Sequence, residues 1–279
     1  MRRKRRPGKI IWTAVVAVLV LVWLYPLVLS IFTSLKTTEQ IALNPFSVPH
    51  PLTFQAYVES WKILGFPSLL LNSAIYGIGG SFLALVLGIL PAFAFTRFRI
   101  PGGTILFVTI LTTLMLPQQT VIIPLYDLLL KLRLLNTRFG LIIIHGVYGM
   151  AFQLLILSGF VSTIPREIEM AARADGCSDI AILRWIILPL SIPAAAVAVT
   201  LNFIDIWKEF FFALVFLSDQ SVMPVTLGIL TMSPLGTTYF KAINLPAATV
   251  LLSQIPIVVL FIFAYRWIGS GIFVGSVKG

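Results

Sequence analysis

The chain has 279 residues and a net charge of +10; 58% of the residues are hydrophobic, only 11% are charged, and the mean hydropathy is +1.00. Because an average soluble domain has about 25% charged residues, this composition excludes a water-soluble globule and indicates a protein embedded in lipid. Most basic residues lie between apolar runs, which indicates membrane topology and no nucleic-acid partner.

Six long apolar runs predict an all-α polytopic membrane protein, because lipid offers the backbone no hydrogen-bond partners and the runs are too long for barrel strands. The first run follows a basic cluster that ends at Lys9. It is longer than the apolar core of a cleaved signal, so we expect a retained span. The predicted spans are Ile10–Phe32, Leu69–Phe95, Ile105–Leu125, Phe139–Phe160, Ile192–Leu217 and Ala248–Trp267.

The distribution of Lys and Arg predicts the orientation of the spans. With the N-terminus inside, the inner segments hold about twice as many basic residues as the outer ones, which favours cytoplasmic termini. Residues 161–190 then lie in the cytoplasm. The proline-rich segment 33–68 lies outside, where we expect a short folded cap or an inert loop.

Proline interrupts three of the apolar runs, at Pro26, Pro91 and Pro117. Proline removes a backbone donor and kinks a helix. The most polar break is Pro117-Gln118-Gln119. We favour a helix that ends there near the outer surface over a break that lines a transport pathway.

The polar segment between spans four and five predicts a helix–turn–helix. Pro165 suits the start of a helix, and Glu167 and Glu169 then lie in its first turn, where negative charge is favourable. A face of small alanines follows (Ala171, Ala172, Ala174), and Gly176 is placed to end the helix in a left-handed conformation.

We expect a second short helix, capped by Ser178 with Asp179 just inside it. It would pass through Ile186 and Leu188 and stop at Pro189. The residues alone leave two interpretations open: a knuckle that docks into a cleft on a partner, or an amphipathic helix on the membrane surface.

Span five carries polar and charged residues at membrane depth, which usually face a protein interior or a pathway. Asp205, Lys208 and Glu209 are spaced to share roughly one helix face. We weigh two roles, a polar staple between helices and a substrate pathway. The candidate pathway residues are Asn202, Asp205, Trp207, Lys208 and Glu209, with Phe210, Phe211 and Tyr239 as further aromatic candidates.

The sequence shows no residues arranged for catalysis or cofactor binding. Cys177 is the single cysteine, and the only histidines, His50 and His145, are far apart. There is no Gly-x-x-x-x-Gly-Lys-Ser/Thr loop, so we predict that the chain does not bind ATP itself. We therefore expect no enzyme activity, metal or other cofactor in this chain.

The helix–turn–helix resembles the EAA loop of ATP-binding cassette (ABC) importer permeases. Met170-Ala171-Ala172, three residues, Gly176, nine residues and Ile186-x-Leu188-Pro189 match the spacing of that motif. Met170 stands where the motif has glutamate. We expect Glu169 to serve in its place, from a helical position rotated by about 100°.

Further segments resemble the smaller, maltose-type permeases of the carbohydrate group. They are Asn72-Ser73, Ala92–Gly102, Ile123–Tyr126, Leu134–Thr137, Ala213–Leu217 and Gly275–Gly279. The resemblance implies the ABC transmembrane type-1 (MetI-like) fold, with 1–67 as basic tail, first helix and external segment, 68–267 as permease domain, and 268–279 as cytoplasmic tail.

The resemblance also implies partners. A second, homologous permease would complete the pathway, two ABC ATPase subunits would hydrolyse ATP, and an extracytoplasmic solute-binding protein would deliver a sugar or sugar-like solute. The tail Gly271–Gly279 would touch the ATPase pair. The implied ATPase-coupling residues are Pro165, Glu167, Glu169, Met170, Ala171, Ala172, Asp175, Gly176, Ile186, Leu188 and Pro189.

The main alternative is an ion-coupled secondary transporter in which Asp205 and Glu209 carry protons. Such carriers often contain inverted repeats. We find no convincing repeat, and this function leaves the EAA-like loop unexplained. A membrane scaffold without transport is a third possibility, against which the polar breaks and intramembrane charges count weakly.

Overall fold

The computed structural model describes residues 7–63, 65–232 and 243–275, apart from the side chains of residues 7–11, 63, 232 and 264–275. The predicted features at residues 2–6, Tyr239 and the last four residues therefore lie outside the described residues. The described α-helices are α1 (Pro7–Ser34), α2 (Thr38–Leu43), α3 (Gln55–Ile63), α4 (Phe66–Arg97), α5 (Gly103–Thr112), α6 (Ile122–Lys131), α7 (Arg138–Val161), α8 (Arg166–Ala174), α9 (Asp179–Ile182), α10 (Leu188–Lys208), α11 (Phe211–Phe216), α12 (Val225–Met232) and α13 (Asn244–Gly275).

Five of the described helical segments are long and apolar enough to cross a membrane: Trp12–Ser34, Phe66–Arg97, Arg138–Val161, Asp179–Lys208 and Asn244–Phe263. Two further helices, Gly103–Met115 and Gln118–Lys131, meet at 105° and make a sixth span when this bent pair is counted as one. The predicted all-α fold with six spans is confirmed. The interruption that the sequence predicts at Pro117 is present as a sharp break between the two halves.

The predicted bounds of span five are also wrong. The helix does not stop at Pro189 but runs without interruption from Asp179 to Lys208. A π-helical segment, Leu183–Ile187, precedes the proline, and the Leu188 amide donates to the Leu183 carbonyl five residues earlier. An ordinary α-helix would set the proline ring against the carbonyl of Trp185. The wider π turn relieves that clash and lets the helix continue.

The chain divides into two compact units. The first contains Met1–Phe66 and Ile229–Ile255. Its α1 is strongly apolar, and none of its spanning window is buried inside the chain. The segment after α1 folds into short elements: Lys36 is fully buried and donates to the carbonyls of Asn44 and Pro45. The Ser60 hydroxyl, 2.8 Å from the Thr249 hydroxyl, ties α3 to α13.

The second unit contains Pro67–Gly228 and Pro256–Gly279, and α4, α7 and α10 pack closely within it. Glycines on α4 and α7 permit this approach. A Cβ atom on Gly88 would lie 2.5 Å from the Gln153 Cβ, and one on Gly149 would lie 2.6 Å from the Asn202 side chain. Small residues allow close backbone approach where lipid supplies no hydrophobic drive for helix association.

A buried apolar cluster lies at one end of these helices. It joins α4, α7, α9 and α10 through Ile89, Ala92, Phe93, Leu154, Leu157, Val161, Ile164, Ile182, Ile187 and Ala194. The half-buried Ala172 of α8 packs against it. The cluster therefore anchors the two short helices α8 and α9 to the long helices.

We predict that Gly88→Ala loosens this packing. The added methyl would meet the Gln153 side chain and, at 3.0 Å, the Leu154 backbone nitrogen, which cannot move independently. Such overpacking costs about 1–3 kcal/mol, and we expect a lower midpoint of heat denaturation in detergent.

The matched control is Gly159→Ala in α7, since nothing lies within 4 Å of a Cβ there. Alanine favours a helix over glycine by about 1 kcal/mol, so this variant should be as stable as the parent chain or more so. Equal midpoints for the two variants would contradict the proposed close packing of α4 on α7.

Candidate functional site

The helix–turn–helix predicted between spans four and five is present. Pro165 lies at the N-cap of α8, and Gly176 has a φ of +85°, the left-handed conformation that the sequence indicates. The Cys177 amide donates to the Ala172 carbonyl at 2.9 Å, and the Gly176 amide donates to the Arg173 carbonyl at 3.0 Å. This pair of bonds is a Schellman motif, which satisfies the last carbonyls of α8.

The second short helix also begins where the sequence places it. The Ser178 hydroxyl accepts from the Ala181 amide and caps α9. Across the turn, the exposed Arg173 guanidinium forms a 2.9 Å ion pair with Asp179. The turn is thus held by its own residues and has a definite shape.

Residues 165–180, the projecting loop, are exposed except for the buried Glu169 and the half-buried Ala172. Their exposed surface includes apolar side chains: Ile168 is 42% exposed, Met170 55% and Ile180 78%. Glu167, Ala171 and Asp175 are exposed beside them. Ile186, Leu188 and Pro189 belong instead to the π segment and the first turn of α10.

Glu169 points into the protein. Its side chain is 2% exposed and forms a 2.5 Å ion pair with Arg97, which is itself 4% exposed. That Glu169 serves in place of the motif glutamate stays a prediction; in this structure its carboxylate faces Arg97. The rotation of one residue turns its carboxylate away from the surface that Met170 presents.

Arg97 is a residue that the sequence did not single out. It is the last residue of α4, and one of its terminal nitrogens donates to the carbonyls of Val161 and Ile164 at 2.8 and 2.9 Å. It therefore joins the ends of α4 and α7 to α8. The sequence indicated only that a basic residue follows span two on its predicted inner side.

The second unit also contains a cavity of about 450 Å³ beside α7 and α10. The break at Pro117 forms one wall of this cavity. The apolar lining includes Phe152, Leu201 and Phe212. The polar lining consists of Gln118, His145, Tyr148, Asn202, Asp205 and Glu209.

The two carboxylate oxygens of Glu209 have different surroundings. Its Oε1 accepts the Phe212 amide at 2.8 Å and so holds the start of α11. Its Oε2 is buried, has no hydrogen-bond partner among the described residues, and lies 4.0 Å from Nε2 of His145. The cavity thus has a buried carboxylate oxygen available to a hydrogen-bond donor.

The predicted trio of span-five charges is separated. Helix α10 ends at Lys208, so Glu209 is outside the helix. Lys208 pairs with Asp205 at 3.0 Å, and both side chains are about two-thirds exposed, at 68% and 66%.

The other predicted pathway residues also differ in position. Asn202 lines the cavity, and its amide donates to the Ser81 hydroxyl at 3.4 Å. Trp207 and Lys208 are outside the lining. Trp207 is buried, and its ring lies 5.5 Å from that of Phe203 in a stacked arrangement. Phe210 and Phe211 also lie outside the lining.

Sequence reasoning missed His145 and Tyr148, which lie on α7 beside Gly146 and Gly149. The available signal was a polar residue next to small residues within an apolar run. That signal does not show which helix the polar side chain faces.

Comparison with known proteins agrees with this fold. The family model described as "binding-protein-dependent transport system inner membrane component" matches residues 84–274. A solved bacterial ABC transporter involved in the import of the acidic polysaccharide alginate has a chain of similar fold. The TM-score is 0.78 at 22% identity, over 95% of this chain and 99% of that one.

Three curated relatives match nearly the whole chain. A probable ABC transporter permease of Pyrococcus horikoshii is 32% identical over 100% of this chain and 99% of its own. The diacetylchitobiose uptake permease NgcG of Streptomyces coelicolor is 27% identical over 96% and 86%. The melibiose/raffinose/stachyose import permease MelC of Bacillus subtilis is 28% identical over 100% of both chains. The chain therefore belongs to the binding-protein-dependent transport system inner membrane components, the permease subunits of ABC importers.

Proposed function

We propose that this permease carries a sugar or sugar-like solute, and that the projecting loop couples it to a separate ATPase. The observation that carries the proposal is the loop itself. It is an ordered helical knuckle, exposed over nearly its whole length and anchored through α8 to helices of the unit that contains the cavity. An exposed, rigid projection with alanines and apolar side chains suits insertion into a cleft on another protein.

The proposed assembly has two permeases, two ATPase subunits on the cytoplasmic side and a solute-binding protein outside. We place both termini and the projecting loop in the cytoplasm, as the distribution of basic residues predicts. ATP hydrolysis belongs to the partner subunits. The coupling surface would comprise Pro165, Glu167, Met170, Ala171, Asp175 and Gly176.

The chemistry of the cavity supports a solute with many hydroxyl groups. Amide, carboxylate, imidazole and phenol groups line it and can accept or donate hydrogen bonds to hydroxyls. Tyr148 and Phe212 are also in the lining, with ring centroids 5.4 Å apart. Relatives named for diacetylchitobiose and for melibiose, raffinose and stachyose support the sugar class.

The decisive experiment is co-purification of the chain with its ATPase, second permease and binding protein, followed by reconstitution into liposomes. We expect the loaded binding protein to stimulate ATP hydrolysis and uptake to require ATP. If no ATPase co-purifies, and substrate alone dissipates an imposed pH gradient, the ion-coupled alternative is correct.

We predict that Gly176→Val impairs coupling while Gly176→Asn does so much less. Nothing in this chain lies within 4 Å of a Cβ at this position, so the strain inside the chain comes from the φ of +85°. A left-handed conformation costs an L-residue roughly 1–2 kcal/mol, but asparagine tolerates it, and 1.4 kcal/mol is about tenfold in an equilibrium. Stimulated ATP hydrolysis should fall by about tenfold in the valine variant, and equal activity of the two variants would contradict the prediction.

We predict that Glu209→Gln lowers solute uptake several-fold without preventing assembly. Glutamine keeps an oxygen that can accept the Phe212 amide, but it removes the charge beside His145. The measurement is the dependence of uptake on solute concentration in liposomes, with a higher KM expected.

Asp127→Asn is the control for Glu209→Gln, because Asp127 is a carboxylate in an exposed ion pair with Lys131 and lies outside the cavity lining. It should leave uptake unchanged. Normal uptake by Glu209→Gln would assign Glu209 a structural role only.

A further inference from the structure

The buried pair between Arg97 and Glu169 lies where the projecting loop meets the membrane helices. Arg97 ends α4, and Glu169 is in the first turn of α8. The guanidinium contacts three elements at once: the Glu169 carboxylate, the Val161 carbonyl at the end of α7 and the Ile164 carbonyl just before α8. A single side chain therefore connects the ends of both long helices to the helix of the loop.

Besides this pair, α8 is held to the rest of the unit chiefly by the packing of Ala172 on the apolar cluster. Within residues 165–180, only Glu169 is buried, and only Ala172 is half-buried, against the apolar cluster. The Arg166 guanidinium adds an exposed bond to the Thr96 carbonyl at 3.1 Å. Separating a buried ion pair leaves an uncompensated charge and is strongly unfavourable. A force applied to α8 would therefore move the ends of α4 and α7 before it broke this contact.

Both helices lead from the pair to the cavity. Helix α7 supplies His145, Tyr148, Gly149 and Phe152 to the lining. Helix α4 packs against the cavity-lining part of α7. A Cβ atom on Gly80 would lie only 2.8 Å from the His145 Cβ. Packed interiors transmit strain because they have few voids.

We infer that the Arg97–Glu169 pair is the mechanical link that transmits displacement of α8 to α4 and α7, and so to the cavity. The inference rests on the proposed coupling role of the loop and assigns both residues as positioning residues. Neither touches solute or nucleotide in this account. The link stabilises one rigid body made of α8 and the adjoining ends of the two long helices.

The test uses the complete reconstituted complex and measures solute taken up per ATP hydrolysed. We expect Glu169→Ala and Arg97→Ala each to keep the ATPase bound but to lower this ratio at least fivefold. Glu169→Asp, which keeps the charge, should recover part of the ratio. Lys131→Ala breaks an exposed ion pair on α6, and this control should leave the ratio unchanged.

A double-mutant cycle distinguishes the link from two independent effects. Because both residues act through one contact, the double variant Arg97→Ala, Glu169→Ala should take up no less solute per ATP than the poorer of the two single variants. The inference is overturned if the losses in uptake per ATP of the two single variants multiply in the double variant, or if Glu169→Ala keeps the wild-type uptake per ATP. Loss of ATPase binding in the single variants would also overturn it, since the pair would then shape the docking surface instead of transmitting motion.

The outcomes of these experiments distinguish a failure of this inference from a failure of the proposed function. If the wild-type complex shows no stimulated hydrolysis, the coupling role of the loop fails, and the link fails with it. If the wild-type complex is stimulated and Glu169→Ala transports with equal efficiency, only the link is wrong. The midpoint of heat denaturation of each variant complex identifies general unfolding, which would lower the yield of complex and not the uptake per ATP.

Discussion

The close approach of α4, α7 and α10 is the constraint on which the rest of the structure depends. Lipid supplies no hydrophobic drive between helices, so packing at glycines and a few interhelical hydrogen bonds must hold them together. Gly88 meets Gln153, whose amide donates to the Ala198 carbonyl of α10 at 3.1 Å. The same contact surface places polar groups of α7 and α10 around one cavity and brings the ends of α4 and α7 together beneath it.

That arrangement explains how the projecting loop and the cavity can belong to one mechanical unit. The Schellman turn at Gly176 and the Ser178 cap give the loop a defined shape, and the π segment joins α9 to α10 without a flexible hinge. An ordinary helix would break or kink at Pro189. The wider turn instead makes the loop continuous with a helix that lines the cavity, which suits a transporter driven by a separate motor.

The sequence predicts most of the fold because the relevant signals are local. The six spans follow from the lengths of apolar runs, and α8, its left-handed turn and the cap of α9 follow from Pro165, Gly176 and Ser178. The predictions fail where packing between distant segments overrides the local sequence rules. Pro189 was expected to end a helix, and the π segment that accommodates it has no clear local signature. Glu209 was placed on a helix face, although α10 ends one residue earlier and its carboxylate caps α11.

The sequence by itself determined the class of the protein, the number of its spans and the shape of the projecting loop, because chain length, hydropathy and capping chemistry act over a few residues. Only the tertiary structure decided that Glu169 turns inward onto Arg97, that His145 faces Glu209, and that Trp207 and Lys208 lie outside the cavity lining. These outcomes depend on which faces of distant helices meet, and that is set by packing between segments far apart in the chain.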